Sequence, residues 1–136
     1  MPDGGREYDD TEFEGIELEE GASLSLAYRS VVALPPWLVS RFDRPILSLN
    51  LTETGFIPRG GNLNLFPHLQ TLILDSNALS SASAAALPRL EFLTTLWLNH
   101  NAVDDLPWFL SCLPPRFPRL SDLSLIGNPA VPALEE

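Results

Sequence analysis

Two histidines, one cysteine and a scatter of acids and hydroxyls are the residues of this chain that could do acid–base or covalent chemistry. Such chemistry needs a nucleophile beside a base, a third group that orients the base, and donors aimed at the charge that develops. His100 follows Asn99, and Asp75 stands one coil of the chain earlier, so an Asp75–His100 pair on one surface is geometrically open, with Ser76 close by. No third orienting group or oxyanion site accompanies it. His68 is distant from His100 in the sequence, and two lone histidines do not supply the convergent ligands that a metal requires. Cys112, between Leu110 and Leu113, reads as a small buried hydrophobe rather than a reactive thiolate. Gly60–Gly61 has no following lysine and reads as a turn rather than a phosphate cradle. The expectation is a non-enzyme without catalytic residues, metal, cofactor or small-molecule substrate.

What positions these residues is a repeat. Leucine makes up about a fifth of the 136 residues, roughly double its usual share. Three segments align on the pattern LxxLxLxxN: Leu69 to Leu79 (LQTLILDSNAL), Leu93 to Val103 (LTTLWLNHNAV) and Leu120 to Val131 (LSDLSLIGNPAV). A fourth, Ile46 to Thr54 (ILSLNLTET), has Thr54 where asparagine belongs, and Leu24 to Arg29 (LSLAYR) is a more degraded fifth. Their third leucines, Leu26, Leu51, Leu74, Leu98 and Leu125, recur at nearly even steps of about 25 residues, which is the period of leucine-rich repeats. The expected fold is α/β: a solenoid of about five coils with a curved parallel sheet, its strands about 4.8 Å apart, and short convex helices or turns.

Alternation along each strand sends the leucines inward and fixes which residues face solvent. The central outward row is Ser25, Asn50, Ile73, Trp97 and Ser124; the next is Ala27, Thr52, Asp75, Asn99 and Ile126; the row before is Ser23, Ser48, Thr71, Thr95 and Asp122. Tryptophan on such a face is the residue type most enriched at binding hot spots. The alternative is that Trp97 simply packs across Ile73 and Ile126. The residues expected to touch a protein partner are Ile73, Asp75, Trp97, Asn99, His100, Ser124 and Ile126. No basic patch lies among them, which disfavours an acidic partner. Asn77, Asn101 and Asn128 close their repeats, where a buried amide can satisfy backbone groups that a turn leaves unpaired.

On the convex side, Ser80 to Leu87 reads as a short serine-capped helix stopped by Pro88. Leu106 to Leu113 reads as a second, with Pro107 at its start, Asp104 and Asp105 at its positive end, and Pro114–Pro115 as its stop. Phe109 and Leu113 are its expected core residues. Val31 to Val39 is expected to cap the first layer, with Trp37 covering it.

The formal charge of -10 is concentrated at the start. Nine acids against Arg6 give -8 in residues 1–20, leaving nine acids and seven arginines for the rest. The chain therefore divides into an acidic, flexible tail at 1–20 and a repeat domain at 21–136 with a degenerate first coil. Within the tail, Phe13, Ile16 and Leu18 among glutamates suit folding on a partner, plain solvation, or, for Ile16 and Leu18, an added edge strand. Scattered arginines argue against nucleic acid, and no window is apolar enough to insert in a membrane. A single cysteine and the absence of a basic leader point to a cytoplasmic, cytoskeletal or ciliary home.

The runs LILDSNAL, LWLNHNAV and LSLIGNPAVP resemble the short intracellular leucine-rich-repeat proteins, about half the chain being covered by the likeness to a melanocyte-associated branch of that group. The turn at Gly127 to Pro129 is similar to the last repeat of small ciliary and splicing members. The resemblance implies a non-catalytic adaptor. Two departures stand out: Val131 replaces a cysteine of the family, and the family's closing cap is absent before Glu136, so Leu123, Leu125 and Val131 are expected at an open end. Two functions remain open. One is a subunit or adaptor held in a larger ciliary or cytoskeletal assembly, with protein partners on the concave face and at the open carboxyl-terminal end. The other is a trafficking or signalling adaptor holding one globular partner on its concave face.

Overall fold

In each repeat one inward leucine and the residue on either side of it become a strand three residues long. The computed structural model describes residues 13–131. Its strands are β1 (Ser23–Ser25), β2 (Ser48–Asn50), β3 (Thr71–Ile73), β4 (Thr95–Trp97) and β5 (Asp122–Ser124). They form one five-stranded sheet in sequence order, every neighbouring pair parallel. Two α-helices, α1 (Ser81–Ala85) and α2 (Leu106–Arg116), and 3-10 segments at Pro36–Ser40 and Leu63–Leu65 fill the returns between strands. This is an α/β architecture compatible with a leucine-rich-repeat fold.

The register is the one that the spacing of the leucines predicts. Leu24, Leu49, Leu72, Leu96 and Leu123 are mutual partners across the sheet, and Ser25, Asn50, Ile73, Trp97 and Ser124 form the row beside them. Along the chain, Leu26, Leu51, Leu74 and Leu98 are fully buried beneath the same sheet. Each such side chain stabilises the fold by roughly 1.5–3 kcal/mol. In the last repeat the corresponding Leu123 and Leu125, with Val131, are half-buried; residues 132–136 lie outside the described residues.

Because the repeats have no long strands, the turns must be held by side chains. Asn77 Oδ1 accepts from the Thr54 and Gly55 N–H groups at 2.9 Å, and its Nδ2 donates to the Leu51 and Leu74 carbonyls. Asn101 Oδ1 accepts from Asn77 N–H at 2.9 Å and Leu79 N–H at 3.0 Å, and its amide donates to the Leu74 carbonyl. Asn128 links Val103 N–H to the Leu98 carbonyl in the same way. Thr54, with a shorter side chain, donates its hydroxyl to the Leu51 carbonyl, and towards the preceding repeat its backbone carbonyl, rather than a side-chain amide, accepts from Val31 N–H at 3.0 Å.

The helices follow their caps. Ser80 accepts from Ser83 N–H at the start of α1, and Asp105 from Trp108 N–H at the start of α2. The buried Ser81 hydroxyl accepts from the N–H groups of Asp104 and Asp105, joining the two starts. Phe109 and Leu113 of α2 are buried, while Trp108 and Leu110 face outward.

Four expectations need correction. Pro114–Pro115 does not stop α2, which runs on to Arg116. The prolines occupy an exposed flank, so the Leu110 and Ser111 carbonyls they leave without a helical donor face water, and Phe117 N–H still reaches the Leu113 carbonyl at 2.7 Å. Trp37 does not cover the first layer: it stays 36% exposed, because the 3-10 turn that buries Leu38 points its neighbour away. Phe13 and Ile16, each 5% exposed, take that place, with Trp37 edge-on to Phe13 at 5.5 Å. The packed chain therefore reaches back to Phe13 rather than starting at residue 21; the tail's residues 1–12 lie outside the described residues. Nor do Ile16 and Leu18 add an edge strand: a single antiparallel bridge, Glu19 to Ser23, closes a tight turn through Gly21 and Ala22 instead.

Two measurements test this account. Phe13→Ala should destabilise the chain by about 3 kcal/mol in urea titration, the usual cost of truncating a buried phenylalanine; a change below about 0.5 kcal/mol would return Phe13 to the tail. Asn101→Ala should cost about 1–3 kcal/mol by stranding two buried N–H groups, whereas Asn64→Ala, at an exposed site, should stay within about 0.5 kcal/mol.

Candidate protein-binding face

Opposite the leucines the sheet carries no covering layer among the described residues, and its outward residues fall into the three expected rows. In the central row Ile73 and Ser124 flank Trp97 as its cross-strand partners; both are half-buried, while Trp97 is 41% exposed. In the next row Ile126 is 64% exposed. The apolar outward residues Ile73, Trp97 and Ile126 thus gather in the last three repeats, and the outward positions of the first two are serine, alanine, asparagine and threonine.

Asp75 and Asn99 have a structural duty on this face. Asn99 N–H donates to Asp75 Oδ1 at 2.9 Å and its amide to Asp75 Oδ2 at 3.3 Å. Asn99 Oδ1 in turn accepts from the Ser124 hydroxyl at 2.6 Å and Ile126 N–H at 2.9 Å. A polar chain from Asp75 to Ser124 therefore locks three repeats together just beyond the strands. Each carboxylate oxygen of Asp75 keeps a lone pair for a partner. Asn50 does a smaller version of the same work, its Oδ1 accepting from the Thr52 N–H and hydroxyl.

His100 and Asp75 do not form the pair that their spacing leaves open. The Asp75 carboxylate is turned to Asn99, and the His100 imidazole lies against Gly127, where it would touch any Cβ added to that glycine. Ser76 takes no part, and no group of three or more His, Cys, Asp or Glu positioned for a metal occurs among the described residues. Among those residues no helix is long and apolar enough to cross a membrane. His68 lies instead at a cleft of about 460 Å³ by the turns into β2 and β3, walled by Phe42, Pro45, Leu65 and Phe66.

Two features of the face have little or no sequence signal. The residue two places after each third leucine adopts a left-handed backbone: Tyr28 (φ 67), Glu53 (51), Ser76 (59), His100 (57) and Gly127 (80). This conformation, disfavoured for L-residues, turns the chain out of each strand, and Gly127 alone hints at it in the sequence. The second is a stack along the sheet's other margin, where the residue before each first leucine meets its neighbours. The His68 and Phe92 rings lie nearly parallel at 6.5 Å, and the Arg119 guanidinium sits 4.9 Å from the Phe92 centroid.

The left-handed row yields a test. Gly127→Ala should cost about 1–2 kcal/mol by strain at positive φ and displace the His100 ring. Adding His100→Ala should recover the part due to the ring contact but not the backbone part. Equal stability of all three proteins would remove Gly127 from this role.

No protein-family model matches the chain. Over 70 residues, 52% of its length, the chain is 44% identical to the leucine-rich melanocyte differentiation-associated protein of Homo sapiens. It spans about a third of that protein, 34%. The resemblance to a leucine-rich protein, carried in the sequence by LxxLxLxxN copies, thus stands on a parallel sheet built from those copies and on an alignment covering half the chain.

Proposed function

We propose that the chain is a leucine-rich-repeat solenoid whose concave face binds a protein, and that it works without catalysis as an adaptor or subunit of a larger cytoplasmic or cytoskeletal assembly. The carrying observation is Trp97, left 41% exposed on the fourth strand of a sheet face that no described residue covers, with Ile73 beside it and Ile126 nearby. Burying such a side chain against a partner removes a large apolar area from water, and truncating it costs about 2 kcal/mol or more at an interface. The fold itself does not need it, because the leucines on the opposite face make the core. The likeness to a leucine-rich protein and a backbone held rigid by cross-repeat amides both support a binding role, since a preformed surface avoids an ordering cost on association. The cytoplasmic placement is supported by the lone Cys112, which has no second cysteine within the chain to bond.

Trp97→Ala tests the proposal directly. In a quantitative affinity purification, proteins retained by the wild-type chain should be depleted at least about thirtyfold on the variant, corresponding to about 2 kcal/mol. Its melting temperature should move by no more than about 2 °C. Undiminished retention would exclude the concave face.

A further inference from the structure

The chemistry around Trp97 narrows the kind of partner. We infer that the concave face takes a basic segment, whose arginine or lysine side chain lies on the Trp97 ring between the carboxylates of Asp75 and Asp122; this rests on the concave-face reading above. Asp122 is the cross-strand partner of Thr95, two residues before Trp97 and on the same face. Asp75 lies on the other neighbouring repeat, its carboxylate bonded to the N–H of Asn99, two residues after Trp97. Strand spacing and rise put each of these positions about 8 Å from Trp97 along opposite diagonals of the sheet. The ring therefore stands between two acids.

Among the described residues no cation on this face answers them. Seven arginines follow residue 12, there is no lysine, and no arginine occupies any of the three outward rows. The exposed Asp122 carboxylate has no hydrogen-bond or ion-pair partner among the described residues, and the ion pair found there, Arg89–Glu91, lies outside these rows. His100, at the rim, is turned to Gly127.

Three classes of partner can be weighed on this surface. An acidic segment would be repelled by both carboxylates. A neutral apolar segment would cover Trp97 and Ile73 but strip water from the unpartnered Asp122 carboxylate and from the remaining lone pairs of Asp75, a cost it does not repay. A guanidinium or ammonium group satisfies everything at once: it is drawn to the face of an indole, best of the aromatic rings for this purpose, and its N–H groups can reach the lone pairs of either carboxylate. Ile73 and Ile126 then accept the aliphatic stem or an apolar neighbour of the cation. The chain's overall charge of -10 adds long-range attraction for such a segment.

Short randomised peptides displayed on phage and selected on the immobilised full chain test the inference, with counter-selection on Trp97→Ala to discard peptides that merely adhere to the acidic amino-terminal stretch. Recovered peptides are then synthesised, labelled and titrated by fluorescence anisotropy. They should be enriched in arginine or lysine and bind at least about tenfold more weakly to Trp97→Ala and to Asp122→Lys. Asp122→Asn should lose less, and affinity should fall as salt rises to physiological strength. Far-UV circular dichroism of each variant controls for folding. Peptides that depend on Trp97 but carry no basic enrichment, or that bind Asp122→Lys undiminished, overturn the inference while leaving the concave-face reading standing. If selection followed by counter-selection recovers no peptide that binds wild type in preference to Trp97→Ala, both fall.

Discussion

A side-chain amide buried where the backbone turns is the constraint on which this molecule depends. Three-residue strands make few ladder hydrogen bonds, and the turns after them leave N–H and carbonyl groups unpaired inside the protein. An asparagine at that point is a two-sided connector: its carbonyl accepts from the neighbouring repeat while its amide donates to carbonyls above it. Asn101 does this for Asn77 and Leu79 on one side and Leu74 on the other. With that satisfied, leucines can stack without an accompanying layer of long strands, and the repeats settle at a common height. Thr54 shows the tolerance of the arrangement: it has no amide to offer the preceding repeat, and its backbone carbonyl accepts from Val31 N–H there instead.

Fixed height is what turns composition into a surface. Because the inward register is set by leucines and amides, each outward residue acquires defined neighbours, and Trp97 faces Ile73 and Ser124 rather than a loose average of side chains. The polar chain from Asp75 through Asn99 to Ser124 fixes the margin of the same surface. On the proposed reading, stability and recognition divide between the two faces of one short strand: Leu96 serves the first, and its neighbours Thr95 and Trp97 the second.

The parts of the fold written as a period were legible in the residues. LxxLxLxxN recurring at a nearly even step is enough to place every strand, its register and the asparagine ladder, because period-two alternation admits one inward set. The rows that hold Ile73, Trp97 and Ile126 follow from the same rule. What escaped it depends on contacts without a period. Phe13 and Ile16 sit among glutamates, and net charge says nothing about two apolar side chains that cover the first layer. The left-handed residues at Glu53, Ser76 and His100 are dictated by the turn, which overrides their own preferences. Pro114 and Pro115 read as a stop because proline lacks a donor, yet that loss matters little where the orphaned carbonyls meet water. The His68–Phe92–Arg119 stack recurs at one position per repeat but with different residue types, so no motif marks it.

The outward face is also asymmetric in a way that the core does not require. The first four repeats bury equivalent leucines and the last half-buries its own, yet the outward residues of the first two repeats are small while those of the last three include Ile73, Trp97 and Ile126. If these positions served only solubility, polar residues throughout would serve better, since exposed aliphatic and indole groups gain nothing from water. If they served only cross-strand packing, the benefit would be greatest with the ring covered, and Trp97 is not. This asymmetry, polar over the first two repeats and apolar with flanking carboxylates over the last three, is what the proposed recognition role would require and what folding does not, since the inner leucines make the core without it.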